Sequence, residues 1–144
     1  MFVGEYRHQM DEKFRLRMPA KFKKQLGKNF VVTKGTNGCL FVFSHADMKA
    51  HLLDKLNNVS IFDINAQKPL RVLLSSAFEV EEDNQGRFLI DKALRDFANL
   101  KKDVVFIGVG NHIEVWNINL WENYLNADDS NFDALMGGLK DYGI

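Results

Sequence analysis

The chain has 144 residues, of which 46% are hydrophobic and 26% are charged, a composition typical of one globular domain or two very small ones and not of a disordered protein. We expect no membrane span, because no apolar run is long enough, and no signal peptide, because the first residues lack its basic and apolar segments. The single cysteine, Cys39, excludes an intramolecular disulfide framework and indicates a reducing, cytoplasmic environment.

Charge is distributed unevenly along the chain, although the formal net charge is zero. Residues 1–72 hold 13 Lys and Arg against 6 Asp and Glu, whereas residues 73–144 hold 6 against 13. A chain with this dipolar pattern can present a basic surface to nucleic acid while it stays neutral overall.

The cations of the first half crowd near its start: Lys13, Arg15, Arg17, Lys21, Lys23, Lys24, Lys28 and Lys34. Those in the segment 21–24 are typical of a solvated helix face. Lys13, Arg15 and Arg17 instead alternate at the spacing of a strand, which predicts that all three point to one face.

The first half predicts a helix, a pair of strands and a second helix. Pro19 suits the first position of a helix and Gly27 suits its C-terminal stop. Two apolar runs, 30–33 and 39–43, predict strands, and the Gly and Asn residues between them supply the positive φ angles of a hairpin turn. Ser44 can then cap the second helix.

A connecting segment and a tail lie outside this pattern. Within 63–76 the apolar residues fall at i, i+3, i+4 and i+7, which predicts a helix, and 78–81 alternates as a strand. The tail predicts one more amphipathic helix, which we expect to pack on a neighbouring subunit. Its apolar stripe consists of Phe132, Leu135, Met136 and Leu139.

The second half repeats the pattern of the first. Asp91 can cap a short helix. Two apolar runs, 104–107 and 113–116, then predict strands around a turn at 108–111, and Asn117 can cap the helix that follows.

The strongest sign of a repeat is a doubled Asp-x-x-x-Arg motif, Asp11 to Arg15 and Asp83 to Arg87. Each motif precedes the helix and strand pair of its own half. A half of roughly 45 residues is too small to bury a sound core alone. We therefore predict an α+β fold in which two tandem half-domains pair about a pseudo-twofold axis, with a small barrel-like β-sheet and flanking helices.

These features resemble the MraZ family, whose two half-domains belong to the AbrB-like (SpoVT-AbrB) class. The resemblance covers the chain to about Tyr124 and implies a first repeat at 5–47, a second at 76–119 and a helical tail at 120–144. Besides the doubled motif, it rests on Met1-Phe2, Gly4, Pro19, Leu89-Ile90, Leu94-Arg95, Ala98, Leu100, Gly108-Val109-Gly110, Glu114-Val115-Trp116, Trp121 and Tyr124.

The resemblance implies a sequence-specific DNA-binding regulator of transcription that controls the division and cell-wall gene cluster, its own gene included. Such a protein is expected in the cytoplasm at the nucleoid, bound to repeats in double-stranded promoter DNA as a closed ring, an octamer, without a cofactor. Arg15 would be its DNA contact. The chain departs from the family pattern at Phe14, where Gly is usual, and at Asp91, where Pro is common.

The residues around the first motif favour DNA binding on chemical grounds as well. The planar fork of Arg15 fits phosphate, or guanine O6 and N7, through two hydrogen bonds. Asp11 can orient that fork across a turn, and Lys13 and Arg17 supply the clustered cations that phosphate contacts need.

The second motif has a different setting. Glu79, Glu81 and Glu82 precede it and would repel phosphate. We therefore predict that Asp83 and Arg87 form a structural ion pair.

Other functions fit the sequence less well. Cys39 with His45 or His51 could form a nucleophile and base, but a thiol in an apolar strand is more typical of a structural residue, so we predict no enzyme. The histidines show no metal-ligand spacing, so we expect no metal, and Gly108-Val109-Gly110 lacks the third glycine of a dinucleotide site. The alternative function is an oligomeric protein-interaction module without specific DNA binding.

Overall fold

The computed structural model describes residues 1–127 and 131–144. Its strands are β1 (Phe2–Gln9), β2 (Arg15–Arg17), β3 (Asn29–Lys34), β4 (Leu40–Ser44), β5 (Phe78–Glu81), β6 (Arg87–Leu89), β7 (Asp103–Gly110) and β8 (Ile113–Asn117). Its helices are α1 (Ala20–Leu26), α2 (His45–Met48), α3 (Asp54–Leu56), α4 (Ile64–Ser75), α5 (Lys92–Phe97), α6 (Ile118–Leu125) and α7 (Phe132–Gly137). A π-helical turn, Lys49–Leu53, joins α2 to α3, and a 3-10 turn, Lys140–Tyr142, follows α7. In the described ranges no helix has the length and apolar character needed to cross a membrane.

Two antiparallel sheets carry the pseudo-twofold symmetry. Six strands pair in the order β1-β7-β8-β4-β3-β5, and β2 pairs with β6 in a two-stranded ribbon. Reading the six-stranded order from either end gives the same sequence of equivalent strands, so the symmetry axis passes between β4 and β8. The first strand of each half pairs with a strand of the other half: β1 pairs with β7, and β5 pairs with β3. The prediction of two tandem halves in an α+β fold is therefore confirmed.

The core fills the space between the ribbon and the six-stranded sheet. Leu16 of β2 and Phe88 of β6 point inward and are each 1% exposed. Phe88 packs edge-on against Phe30 of β3, with ring centroids 5.0 Å apart, and Phe22 of α1 and Leu94 of α5 close the sides. Burial of each such side chain contributes about 1.5–3 kcal/mol. The core therefore anchors the inner face of the ribbon, and the outer face can carry polar side chains.

Most of the predicted elements are present. The helix after Pro19 ends at Gly27, which has φ +84°, and the helix predicted within 63–76 is α4, capped by the Asp63 side chain. The side chains of Ser44, Asp91 and Asn117 also accept N-terminal hydrogen bonds, as predicted. The tail helix is α7, while residues 128–130 of the predicted tail lie outside the described residues.

Two features of the sheet differ from the prediction. Strand β1 was not predicted, because the periodicity of Phe2–Gln9 is weak. The turn predicted at 108–111 is also shorter, since β7 continues through Gly110. Gly108 belongs to this strand because β1 passes close by: a Cβ on Gly108 would lie 2.5 Å from the backbone N of Val3.

The division into repeats at 5–47 and 76–119 stays a prediction. Strand β1 begins at Phe2, before the first repeat, and α6 crosses the boundary predicted at 119/120. Because the halves exchange strands, each is completed by residues of the other.

Candidate nucleic-acid interface

The outer surface of the β2–β6 ribbon carries arginine. In the antiparallel register Arg15 faces Leu89, Leu16 faces Phe88 and Arg17 faces Arg87. Because side chains alternate along a strand, burial of Leu16 and Phe88 turns the other pairs outward. We call this surface the ribbon face; it consists of Arg15, Arg17, Arg87 and Leu89.

Asp11 organises the turn that precedes β2. One carboxylate oxygen accepts hydrogen bonds from the backbone N–H of Lys13 and of Arg15, both 2.9 Å long, and the other accepts from Arg15 Nε at 2.8 Å. These bonds, led by the one from the Arg15 backbone, hold the pKa of Asp11 below its ordinary value. In residues 1–127 and 131–144 the two terminal nitrogens of Arg15 find no protein acceptor, so the guanidinium is oriented and can still donate to a ligand.

The second motif folds in the same way. Asp83 accepts hydrogen bonds of 2.9 Å from the backbone N–H of Gln85, from that of Arg87 and from Arg87 Nε. The pKa of Asp83 is lowered, chiefly by the Arg87 backbone bond. The two motifs therefore match in their individual hydrogen bonds as well as in sequence.

Each turn contains one residue in the left-handed region. Phe14 has φ +63° and Gly86, its equivalent, has φ +73°. Phe14 N–H donates to the Asp11 carbonyl at 3.0 Å, and Gly86 N–H donates to the Asp83 carbonyl at the same distance. The departure at Phe14 thus leaves the turn geometry unchanged.

Lys13 does not share a strand face with the two arginines, so that part of the prediction is wrong. Lys13 lies in the turn, because the left-handed Phe14 interrupts the extended backbone before β2 begins at Arg15. Lys13 is exposed beside Asp11, and Arg15 and Arg17 remain two residues apart on one face.

A cleft of about 250 Å³ opens at the ribbon face. Arg15, Arg17, Arg87 and Asp11 line it together with His8 and Gln9 of β1. His8 was missed by sequence reasoning because β1 was missed; its weak signal is the alternation of Tyr6 with His8. Burial lowers the pKa of His8 and so favours its neutral form, and the positive charge of the cleft comes from the arginines.

One acid of the second half is buried. Glu82 has a side chain only 2% exposed and pairs with Lys23 Nζ at 2.9 Å. Lys23, predicted on a solvated helix face, keeps a side chain that is 42% exposed, and its Nζ lies close to Gly86 where it reaches this carboxylate. Met10 is the equivalent of Glu82 in the first half and is buried too. Only Glu79 and Glu81 of the three acids before the second motif are therefore exposed.

Cys39 is not placed for nucleophilic chemistry. The residue is fully buried, and its thiol donates to the Thr36 carbonyl. Burial raises the pKa of Cys39 to about 12, so the thiol is protonated at neutral pH. Over the described ranges, no group of His, Cys, Asp and Glu side chains is arranged to hold a metal ion.

Two intertwined halves and a repeated Asp-x-x-x-Arg turn define a tandem AbrB-like α+β protein. The family described as "MraZ protein, putative antitoxin-like" matches residues 1–72 and 73–136. The chain is 43% identical to the transcriptional regulator MraZ of Finegoldia magna and 42% identical to that of Natranaerobius thermophilus, with 144 residues aligned and each chain covered completely. The same protein of Halothermothrix orenii is 41% identical over the same length. The chain belongs to the MraZ family.

Proposed function

We propose that the protein is a sequence-specific DNA-binding regulator of transcription. The observation that carries the proposal is Arg15, which is held by Asp11 at the edge of an outward arginine face. The relatives named transcriptional regulator MraZ, similar over the whole chain, support the same function.

The shape of the ribbon suits duplex DNA. The major groove of B-DNA admits a two-stranded β-ribbon, and β2 with β6 forms one whose inner face is anchored in the core. In this complex Arg15 donates two hydrogen bonds to guanine, while Lys13 and Arg17 contact phosphates. Asp83 and Arg87 hold the second turn in shape.

We further propose that the protein binds promoter repeats as a closed ring, an octamer, at the nucleoid, and that its target is the division and cell-wall gene cluster with its own gene. One ribbon face offers few cations, but several subunits on successive repeats would gain affinity by roughly 10²–10⁴ through effective concentration. Exposed apolar side chains are available for subunit contacts: Ile61, Phe62, Ile64, Phe132, Leu135 and Met136.

The test is a mobility-shift titration with the DNA upstream of the protein's own gene and a scrambled duplex as competitor. We expect Arg15→Ala to abolish the preference for the upstream DNA while the oligomer persists in light scattering. Lys55→Ala removes an exposed cation from another part of the chain and is the matched control. Specific binding that survives in Arg15→Ala would reject Arg15 as the contact.

The alternative function is an oligomeric protein-interaction module. Glu79 and Glu81 support it, because they lie exposed on β5, an edge strand with one side unpaired in the sheet order. A pull-down that captures the same protein partner with and without nuclease, together with no preference for upstream DNA, would favour this alternative.

A further inference from the structure

Phe14 occupies a position where glycine would serve the fold equally well. L side chains adopt its φ of +63° at a cost, whereas glycine adopts such an angle freely. In the second turn Gly86 takes this place, and the turn keeps the same backbone hydrogen bonds. The phenyl ring is therefore not required for the turn, and a side chain held at such a cost often has a functional role.

The ring is both exposed and held in place. Phe14 is 46% exposed, and the guanidinium of Arg95 lies over it, 3.8 Å from the ring centroid. Arg95 is itself anchored, since it donates a hydrogen bond to the Ile90 carbonyl. A cation on one face fixes the ring, so it loses little conformational freedom when a ligand covers the exposed part.

The two turns differ in what covers them. At the equivalent point of the second turn, Lys23 Nζ lies 2.8 Å from where a Cβ on Gly86 would be and is drawn across to Glu82. A ring at Gly86 would therefore have to displace Lys23 Nζ from Glu82. The first turn has Arg95 in the place of Lys23, and the ring lines a cleft that shares Gln9 and Asp11 with the cleft at the DNA-contact candidate Arg15.

The surroundings of the ring are basic. A cleft of about 820 Å³ beside it is lined by Lys92, Arg95, Lys101 and Lys102 among others. Of the acids there, Asp11 is bonded to Arg15 and Asp96 to Lys92, while Glu12 is exposed on the turn. Because Asp96 offsets Lys92, the excess of positive charge comes from Arg95, Lys101 and Lys102, and it attracts a polyanion toward the apolar ring.

We propose that Phe14 is a specificity-determining residue that contacts the C5-methyl group of a thymine next to the base pair bound by Arg15. The inference rests on the proposed function. The thymine methyl is the apolar group that base edges present in the major groove. Insertion of the ring between base pairs would need both faces free, and Arg95 covers one of them. The open face and edge of the ring therefore approach a base from the groove.

The test replaces thymine by deoxyuridine, which removes the methyl group and nothing else. Each thymine of the upstream duplex is replaced in turn, and affinity is measured by fluorescence anisotropy. We expect one position in each repeat at which the replacement weakens wild-type binding about fourfold, the effect of exposing one buried methyl group. Phe14→Gly should bind the thymine and deoxyuridine duplexes equally.

Phe14→Asn serves as a second variant, because asparagine also tolerates positive φ and lacks an apolar ring. Circular dichroism and light scattering establish that both variants keep the fold and the oligomer. Specific wild-type binding with no sensitive thymine, or a sensitivity that remains in both variants, would overturn the inference and leave the proposed function standing. Absence of specific binding by the wild type would overturn both.

Discussion

Arg17 allows the clearest measurement of a phosphate contact. Its side chain is exposed, and its one protein hydrogen bond in the described residues is from Nη1 to the Gln85 carbonyl. Arg17 also faces Arg87 directly, and like charges opposite each other are unfavourable. The losses and gains of Arg17→Ala should nearly cancel, so we expect its stability to stay within about 1 kcal/mol of wild type.

The size of the effect on DNA binding follows from counterion release. Each neutralised phosphate adds about −0.9 to the slope of log affinity against log salt concentration. With Lys13 and Arg17 on phosphates, one engaged subunit has a slope of about −1.8, and affinity falls about 12-fold between 50 and 200 mM salt. Arg17→Ala should halve the slope, so that affinity falls only about 3.5-fold over the same range.

The assay is fluorescence anisotropy on a duplex with a single repeat, so that one subunit engages each duplex. Lys55→Ala and Arg87→Ala are the controls, and both should keep the wild-type slope, the second because we propose a structural role for Arg87. An unchanged slope for Arg17→Ala would refute the phosphate contact. A flattened slope for Arg87→Ala would instead assign that contact to the residue across the ribbon.

Three further predictions concern the frame of the site. Lys23→Met should destabilise the protein by roughly 2–4 kcal/mol in urea denaturation, because it leaves the buried Glu82 carboxylate without a partner. The double variant that also replaces Glu82 by Met should recover most of this loss. Equal stability of the single variant and the wild type would contradict the prediction. In thermal melts Gly108→Ala should cost about 2–3 kcal/mol, since its Cβ would press on the β1 backbone. Gly137→Ala has no atom near its Cβ and lies in helix α7, where Ala is favoured, so it should lose no stability. Because the pKa of Asp11 is lowered, its carboxylate stabilises the folded protein fully above the ordinary Asp pKa, and this contribution is lost as pH falls through the lowered value. A titration of the Asp11 carboxyl carbon by NMR should give a midpoint below about 3.9. A midpoint above that value would rule out the turn geometry.

Sequence reasoning predicted the elements whose apolar periodicity is strong. The strand pairs β3–β4 and β7–β8 are buried enough to read as apolar runs, and capping residues located the helices. Strand β1 escaped prediction because only Phe2 on it is fully buried. The ribbon strands have three residues each, so the alternation that placed Arg15 and Arg17 on one face did not show that the strand begins only after Lys13.

Only those contacts of the candidate site that join residues close in sequence could be predicted. Arg15 and Asp11 lie four residues apart, and their hydrogen bonds form within one turn, so the repeated motif was enough to find them. The pairing of Arg17 with Arg87, the approach of His8 and the ion pair of Lys23 with Glu82 all join the two halves. Such contacts depend on how the halves intertwine, which a single sequence does not reveal.

The two halves have the same backbone conformation but different surface side chains, and this difference supports one DNA-binding turn per subunit. Lys13, Phe14 and Arg17 of the first half correspond to Gln85, Gly86 and Leu89 of the second. The hydrogen bonds of the turn are the same in both, so the fold constrains the Asp and the Arg of each motif. Since Lys13, Arg17 and the Phe14 side chain occur in the first half alone, a closed ring of subunits would present one such turn from each protomer, at a spacing set by the oligomer and not by the internal repeat.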